Sequence, residues 1–252
     1  MIPSYWLCAL LGIAVCSAVM IRRRKDFAEL EQVDITNTAA LACVGMVAGA
    51  RILYLITISP LLIRNFAVLK ADHALAYEVL SNGMVSYGGI LGAVLTIFLY
   101  TRCYRLDTGV MLDCFAPLFP LFHSFGRVGC FLTGCCYGIP SDSCGLEFNN
   151  SAIAPHDISL FPVQLLCAAL NLMLFAAVCI YEKKHHRSGT AVLFYLSVYA
   201  AGRFAVEFLR GDELRGIAAG LSTAQWISIM VLLAILARHI SISIQRRQKA
   251  EH

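Results

Sequence analysis

Seven apolar runs, each of about fifteen to twenty-two residues, follow one another along this chain and leave it few folds. They lie roughly at Pro3–Ile21, Asn37–Ile58, Val85–Tyr100, Met111–Phe125, Phe161–Tyr181, Thr190–Leu209 and Ser222–Ile242. A helix of ~20 apolar residues crosses the hydrocarbon layer of a bilayer. Composition points the same way: 59% of residues are hydrophobic and 14% charged, where soluble domains carry ~25% charge. The expected fold is all-α: a polytopic membrane protein of about seven transmembrane helices. It forms one domain, residues 1–252, with no internal repeat.

Basic residues between the runs set the orientation, because cytoplasmic loops are enriched in them. Arg22, Arg23, Arg24, Lys25, Arg102, Arg105, Lys183, Lys184, Arg187, Arg238, Arg246, Arg247 and Lys249 fall on one side. Arg64, Lys70, Arg127, Arg210 and Arg215 fall on the other. The N-terminus is therefore expected outside and the C-terminus in the cytoplasm. No positive charge precedes the first run, so it does not read as a signal peptide. No compact basic face with interleaved aromatics exists, which argues against a nucleic-acid partner.

Charges inside the runs are the first functional signal. Arg51 sits in AGARILYL and Arg203 in YAAGRFAVEFLRGDE. An intramembrane arginine costs on the order of 2.5–3.5 kcal/mol by the lower estimates, and it is normally paired or faces a polar cavity. Glu207 lies one helical turn after Arg203, placed to orient it. Arg51 and Arg127 have no carboxylate at helical spacing. Together with Arg210 these arginines could converge on one anion. Guanidinium forks suit phosphate oxygens, and a phospholipid headgroup is the nearest abundant anion at that depth.

Glycines add to this. Gly88, Gly89 and Gly92 follow Tyr87 as a small-residue face, which fits either close helix packing or backbone approaching a substrate. The stretch His123–Gly138, HSFGRVGCFLTGCCYG, holds Gly126, Gly129, Gly134 and Gly138. It reads as too rich in glycine for a good helix, and as the floor of a headgroup site at the outer leaflet. Seven of the eleven cysteines lie in or beside apolar runs; Cys130, Cys135, Cys136 and Cys144 cluster. Three uses are open to the cluster. Cys144 could pair with Cys135 or Cys136 on an oxidising face. Cys130, Cys135 or Cys136 could serve as a nucleophile, with Arg127 favouring the thiolate. His123 with Cys130, Cys135 and Cys136 could bind zinc, although C-x4-C-C is not a standard spacing. No metal and no cofactor are expected.

These motifs together resemble the bacterial prolipoprotein diacylglyceryl transferases over nearly the whole chain. Against that family's signature G-R-x-G-N-F-x-N-x-E-x-x-G, residues Gly126, Arg127, Gly129, Phe131 and Gly138 fall in register. The run around Arg51 and Tyr54 is similar to the family's second span, and Met84–Gly89 to its M-S-x-H-G-G segment. Phe161–Leu165, with Gln164, resembles its P-x-Q-L segment. Arg203, Phe204, Glu207, Phe208 and Arg210 match R-F-x-x-E-F-x-R. Ser222–Ser228 resembles the opening of the final span, and Tyr5 with Trp6 an N-terminal aromatic position.

The resemblance implies a location and a reaction. The protein would sit in the bacterial plasma (inner) membrane with its site facing the outer leaflet. The lipobox cysteine thiol of a lipoprotein precursor would attack the glyceryl carbon of phosphatidylglycerol, releasing glycerol phosphate. Partners are then phosphatidylglycerol, the precursor signal peptide and membrane lipids. It implies catalytic roles for Arg127, Arg203 and Glu207, and Tyr87 and His123 are the candidates for proton handling. Substrate contacts fall to Arg51, Tyr54, Gly88, Gly89, Gly126, Gly129, Cys130, Gly138, Gln164, Arg210 and Tyr5. Departures from the pattern concentrate in the chemistry. Tyr87 stands where the family has a histidine, Cys130 and Thr133 where it has asparagines, and Cys135 where it has a glutamate. His123 is the candidate replacement base. A paralogue acting on another lipid or acceptor through Cys130, Cys135 or Cys136, or a non-catalytic lipid-binding protein, are the alternatives.

Overall fold

The computed structural model describes residues 2–27, 29–81, 83, 85–184, 188–212 and 217–250. Arg187 and Arg215 of the charge count, and Met84 of the segment before Tyr87, lie outside them. Ten helices carry the described chain: α1 (Ile2–Arg23), α2 (Gln32–Arg64), α3 (Phe66–Ala71), α4 (His73–Ser81), α5 (Ser86–Tyr104), α6 (Thr108–Phe115), α7 (Leu118–Thr133), α8 (Val163–Lys184), α9 (Thr190–Val206) and α10 (Thr223–Ala250). The one sheet among the described residues is a two-residue hairpin, Ile217–Ala218 with Leu221–Ser222. The protein is an all-α membrane protein.

Five helices, α1, α2, α8, α9 and α10, are long and apolar enough to cross a bilayer. The third expected span is the 19-residue α5. The fourth is divided. Ala116 and Pro117 break it into α6 and α7, because proline lacks an N–H and disfavours the helical region for the residue before it.

A second difference concerns the glycines of His123–Gly138. α7 runs unbroken through Gly126 and Gly129 and stops at Gly134, whose φ of 71° makes it a left-handed C-cap. Glycine costs a helix about 1 kcal/mol against alanine, and packing offsets this at Gly129. A Cβ there would come within 3.0 Å of the Tyr5 ring and 3.4 Å of Cys8 on α1. The glycine lets α1 lie close along α7.

The chain divides into two compact units, Lys25–Leu112 and Met1–Arg24 with Asp113–His252. In the first, α2 packs on α5 along a glycine seam. A Cβ at Gly92 would meet the Gly45 carbonyl oxygen at 2.1 Å, and one at Gly88 the Gly49 carbonyl oxygen at 2.4 Å. Backbone rather than side chain is met, so glycine is required for this approach.

In the second unit α1 packs on α7, α7 on α8, α8 on α9 and α9 on α10. One end of this bundle is fixed by charge. Arg23 at the end of α1 pairs with Glu182 near the end of α8. Asp113 accepts from the backbone N–H groups of Gly189 (2.7 Å) and Val192 (2.8 Å), covering donors that the start of α9 would otherwise leave open. At the opposite end, α10 begins with a reciprocal cap. The Gln225 side chain accepts from Ser222 N–H at 2.9 Å, and Ser222 Oγ accepts from Gln225 N–H at 3.2 Å, a capping box.

Candidate anion site at the end of α7

The site grows from the last turns of α7 and α9. Arg127 is buried, 7% exposed, and its Nε donates to His123 Nε2 one helical turn earlier at 3.0 Å. An accepting Nε2 requires a neutral imidazole with its proton on Nδ1. His123 also lies against the Tyr199 ring of α9, with centroids 5.6 Å apart. The histidine is therefore held between two neighbours and holds Arg127 in turn.

Arg203 is equally buried, 8% exposed. Its Nη2 lies 2.9 Å from Glu207 Oε2. Its Nε and Nη1 have no hydrogen-bond partner among the described residues. Arg127 and Arg203 are close enough to repel each other electrostatically. Burying a guanidinium with two unpaired donors beside a second guanidinium is costly unless an anion meets both.

Arg210 closes the cluster from the connection after α9. Its Nη1 is 3.6 Å from Glu207 Oε2, and its Nε donates to Asp212 Oδ1 at 2.9 Å. Among the described residues the cluster brings three arginines together with two carboxylates.

Glycine places Arg210. A Cβ on Gly138 would strike the Phe161 carbonyl oxygen at 2.4 Å, and one on Gly211 the Gly138 carbonyl oxygen at 2.4 Å. Without side chains at these positions, three backbone segments lie together. Ile139 N–H donates to Leu209 O at 3.0 Å, Phe161 N–H to Ile139 O at 2.9 Å and Gly211 N–H to Tyr137 O at 3.0 Å. Gln164, fully buried on α8, donates from Nε2 to the Cys135 carbonyl at 2.9 Å. It ties the loop after α7 to α8.

That loop carries the cysteine cluster. The Cys130, Cys135 and Cys136 sulfurs all lie within 4.8 Å of one another, each half-buried, and Cys144 is exposed outside the group. Hydrogen bonds from Cys130 and Cys135, then the charges of Arg127 and Arg210, hold the Cys136 thiol well below the ordinary thiol range despite its burial. The Tyr5 hydroxyl is in electrostatic reach of all three thiols. Beside Arg127, a Cβ on Gly126 would meet nothing within 4 Å, so this face of α7 borders open space.

One unit therefore unites Arg127, His123, Arg203, Glu207, Arg210, Gly126, Gly129, Cys130, Gly138, Gln164 and Tyr5. The residues expected from the other unit form their own group. Arg51 donates to the Gly83 carbonyl at 2.9 Å and lies 5.5 Å over the Tyr54 ring, and Tyr54 Oη donates to Val79 O at 3.1 Å. Gly88 and Gly89 both face α2, and Tyr87 is buried at the start of α5. Sequence reasoning missed Asp212 and Asp113. Asp212, two residues after Arg210, had a usable signal in its spacing. Asp113 had none, because its partners lie on α9.

The sequence model of the family described as prolipoprotein diacylglyceryl transferase matches residues 1–240. The phosphatidylglycerol–prolipoprotein diacylglyceryl transferase of Clostridium tetani is 35% identical over 227 residues, 89% of this chain and 88% of the relative. Transferase 2 of the same name from Clostridium perfringens is 32% identical over 252 residues, 99% and 95% of the two chains. That of Bordetella parapertussis is 31% identical over 236 residues, 91% and 87%.

Proposed function

This chain belongs to the prolipoprotein diacylglyceryl transferase family, and from that premise we propose that it transfers the diacylglyceryl group of phosphatidylglycerol to the lipobox cysteine of lipoprotein precursors. The observation that carries this is Arg203, buried beside Arg127 with two nitrogens lacking a hydrogen-bond partner. A lipid phosphate meeting both guanidiniums satisfies those donors. The leaving group of the reaction is that same phosphate, so cations that bind it also stabilise the charge developing as the carbon–oxygen bond breaks.

Each remaining residue has a role in this reading. Glu207 orients Arg203 and shares Arg210. His123 holds Arg127. Gly126 leaves room for the headgroup, and Gly138 and Gln164 fix the loop that frames it. Tyr5 and Cys130 line the same end of α7. The family resemblance also assigns lipid contacts to Arg51 and Tyr54, while Gly88 and Gly89 serve the α2–α5 seam, and the whole chain, residues 1–252, works as one transferase. The site faces the outer leaflet of the bacterial inner membrane, where a precursor signal peptide reaches it laterally. Proton handling falls to Tyr87 and His123. The His123 Nε2 lone pair is engaged by Arg127.

Complementation tests the reading. Expression in a strain depleted of its own transferase should restore lipidation of a model precursor, followed by its mobility shift and mass. Arg203→Ala and Arg127→Ala should abolish it at equal protein level. Well-expressed wild-type protein that lipidates nothing would refute the reading.

A further inference from the structure

Three thiols occupy one corner of the site, and the arginine–phosphate chemistry leaves them without a role. Cys130 lies in the last turn of α7 and Cys135 and Cys136 just beyond its cap. Their sulfurs are within 4.8 Å of one another. Zinc–thiolate bonds of about 2.3 Å at tetrahedral angles place sulfurs about 3.8 Å apart. Small side-chain rotations close that difference.

The backbone is shaped for this convergence. Gly134 turns the chain in the left-handed region, and Cys136 follows at φ 55°, a conformation that a non-glycine residue rarely adopts. The Gln164 amide clamps the Cys135 carbonyl at 2.9 Å. Thr133 Oγ1 lies 3.3 Å from the Cys135 sulfur. A helix C-terminus favours a cation. Three thiolates around a divalent ion leave one negative charge, and two once the acceptor thiolate binds; Arg127 and Arg210 stand in electrostatic reach of Cys136 to offset them.

We propose that Cys130, Cys135 and Cys136 hold a zinc ion whose fourth position takes the acceptor thiol. This deepens the transferase reading and rests on it. Three protein ligands with an open fourth position are the arrangement of catalytic rather than structural zinc. A thiol bound to zinc is deprotonated, its proton passing to water, so no separate base is needed where the His123 Nε2 lone pair is already engaged by Arg127. The zinc-bound thiolate sulfur attacks the glyceryl carbon. The carbon–oxygen bond to phosphate breaks, and its electron pair leaves with glycerol phosphate held by Arg127 and Arg203. The product thioether is a weaker ligand than thiolate and gives way to the next acceptor.

The test uses the full chain purified in detergent under reducing conditions. Elemental analysis should find about one zinc per chain. Cys130→Ser, Cys135→Ser and Cys136→Ser should each lower occupancy at least tenfold, while the exposed Cys144→Ser keeps it. Cobalt(II) in place of zinc should give a thiolate charge-transfer band that shifts when a cysteine peptide is added and not when its serine counterpart is. Folding of each variant is checked by thermal unfolding. Less than a tenth of an equivalent of zinc, both as purified and after adding zinc, overturns the site. A cobalt band indifferent to the cysteine peptide, with lipidation unaffected by chelation, overturns the thiol role. Zinc binding with a responsive band in a protein that lipidates no precursor supports the site and refutes the transferase reading alone.

Discussion

Arg203 and Glu207 meet across the end of α9, Nη2 to Oε2 at 2.9 Å, and both are almost fully buried. The carboxylate also faces Arg210 at 3.6 Å, so one acid serves two bases. Removing one partner of a buried ion pair costs about 3–5 kcal/mol, because the other charge is left uncompensated. Glu207→Gln is expected to lose stability of that order, read as a lower unfolding temperature in detergent, and to lose lipidation. An unchanged unfolding temperature would show that Glu207 does not carry this charge.

Arg203 itself separates charge from geometry. Lysine preserves the charge but not the planar fork. Arg203→Lys should fold, since Glu207 keeps a cationic partner, yet lose at least about tenfold in activity, the effect of ~1.4 kcal/mol. Phosphatidylglycerol should stabilise the wild-type protein against heat, and the variant less. Equal protection of both would remove Arg203 from the lipid site.

For His123 the hydrogen bond to Arg127 predicts a pattern that a general base would not give. A hydrogen bond to a charged group contributes about 1.5–3 kcal/mol. His123→Ala should therefore fall ~10–100-fold, while His123→Gln, whose amide oxygen can accept from Arg127 Nε, should recover most of it. A glutamine variant as inactive as alanine, together with a lost limb of the pH–rate profile, would return His123 to the role of base.

Gly92 and Gly126 should respond in opposite ways to alanine. At Gly92 the new Cβ meets the Gly45 backbone oxygen at 2.1 Å, and forcing α2 and α5 apart should cost about 1–3 kcal/mol. At Gly126 nothing lies within 4 Å, so alanine should leave stability unchanged or raise it by up to about 1 kcal/mol. If that space admits the lipid headgroup, Gly126→Ala folds well and transfers poorly. A fully active Gly126→Ala would place the headgroup elsewhere.

Much of this was legible in the chain order. The apolar runs marked the long helices, and Arg203 with Glu207 announced its pairing by helical spacing. Ser222 and Gln225 carry the cap signature S-x-x-Q, only four residues long. Hydropathy does not reveal the break at Ala116–Pro117, because it is blind to the missing proline N–H. Helix propensity does not reveal the continuous α7 either, because it counts each glycine as a loss, while at Gly129 the close fit of Tyr5 and Cys8 offsets it.

What the sequence determined by itself is the local and the cumulative: which stretches are apolar enough for a membrane, where charge is out of place, and which residues sit one turn apart. Tertiary structure alone decided that Arg127 and Arg203 share a site, that Asp113 covers the start of α9, and that the sulfurs of three cysteines come within 4.8 Å of one another. These relationships join residues on different elements or across a turn. They depend on how closely helices and loops approach, and that distance is set by side-chain volume and backbone contact in three dimensions, which the order of residues does not state.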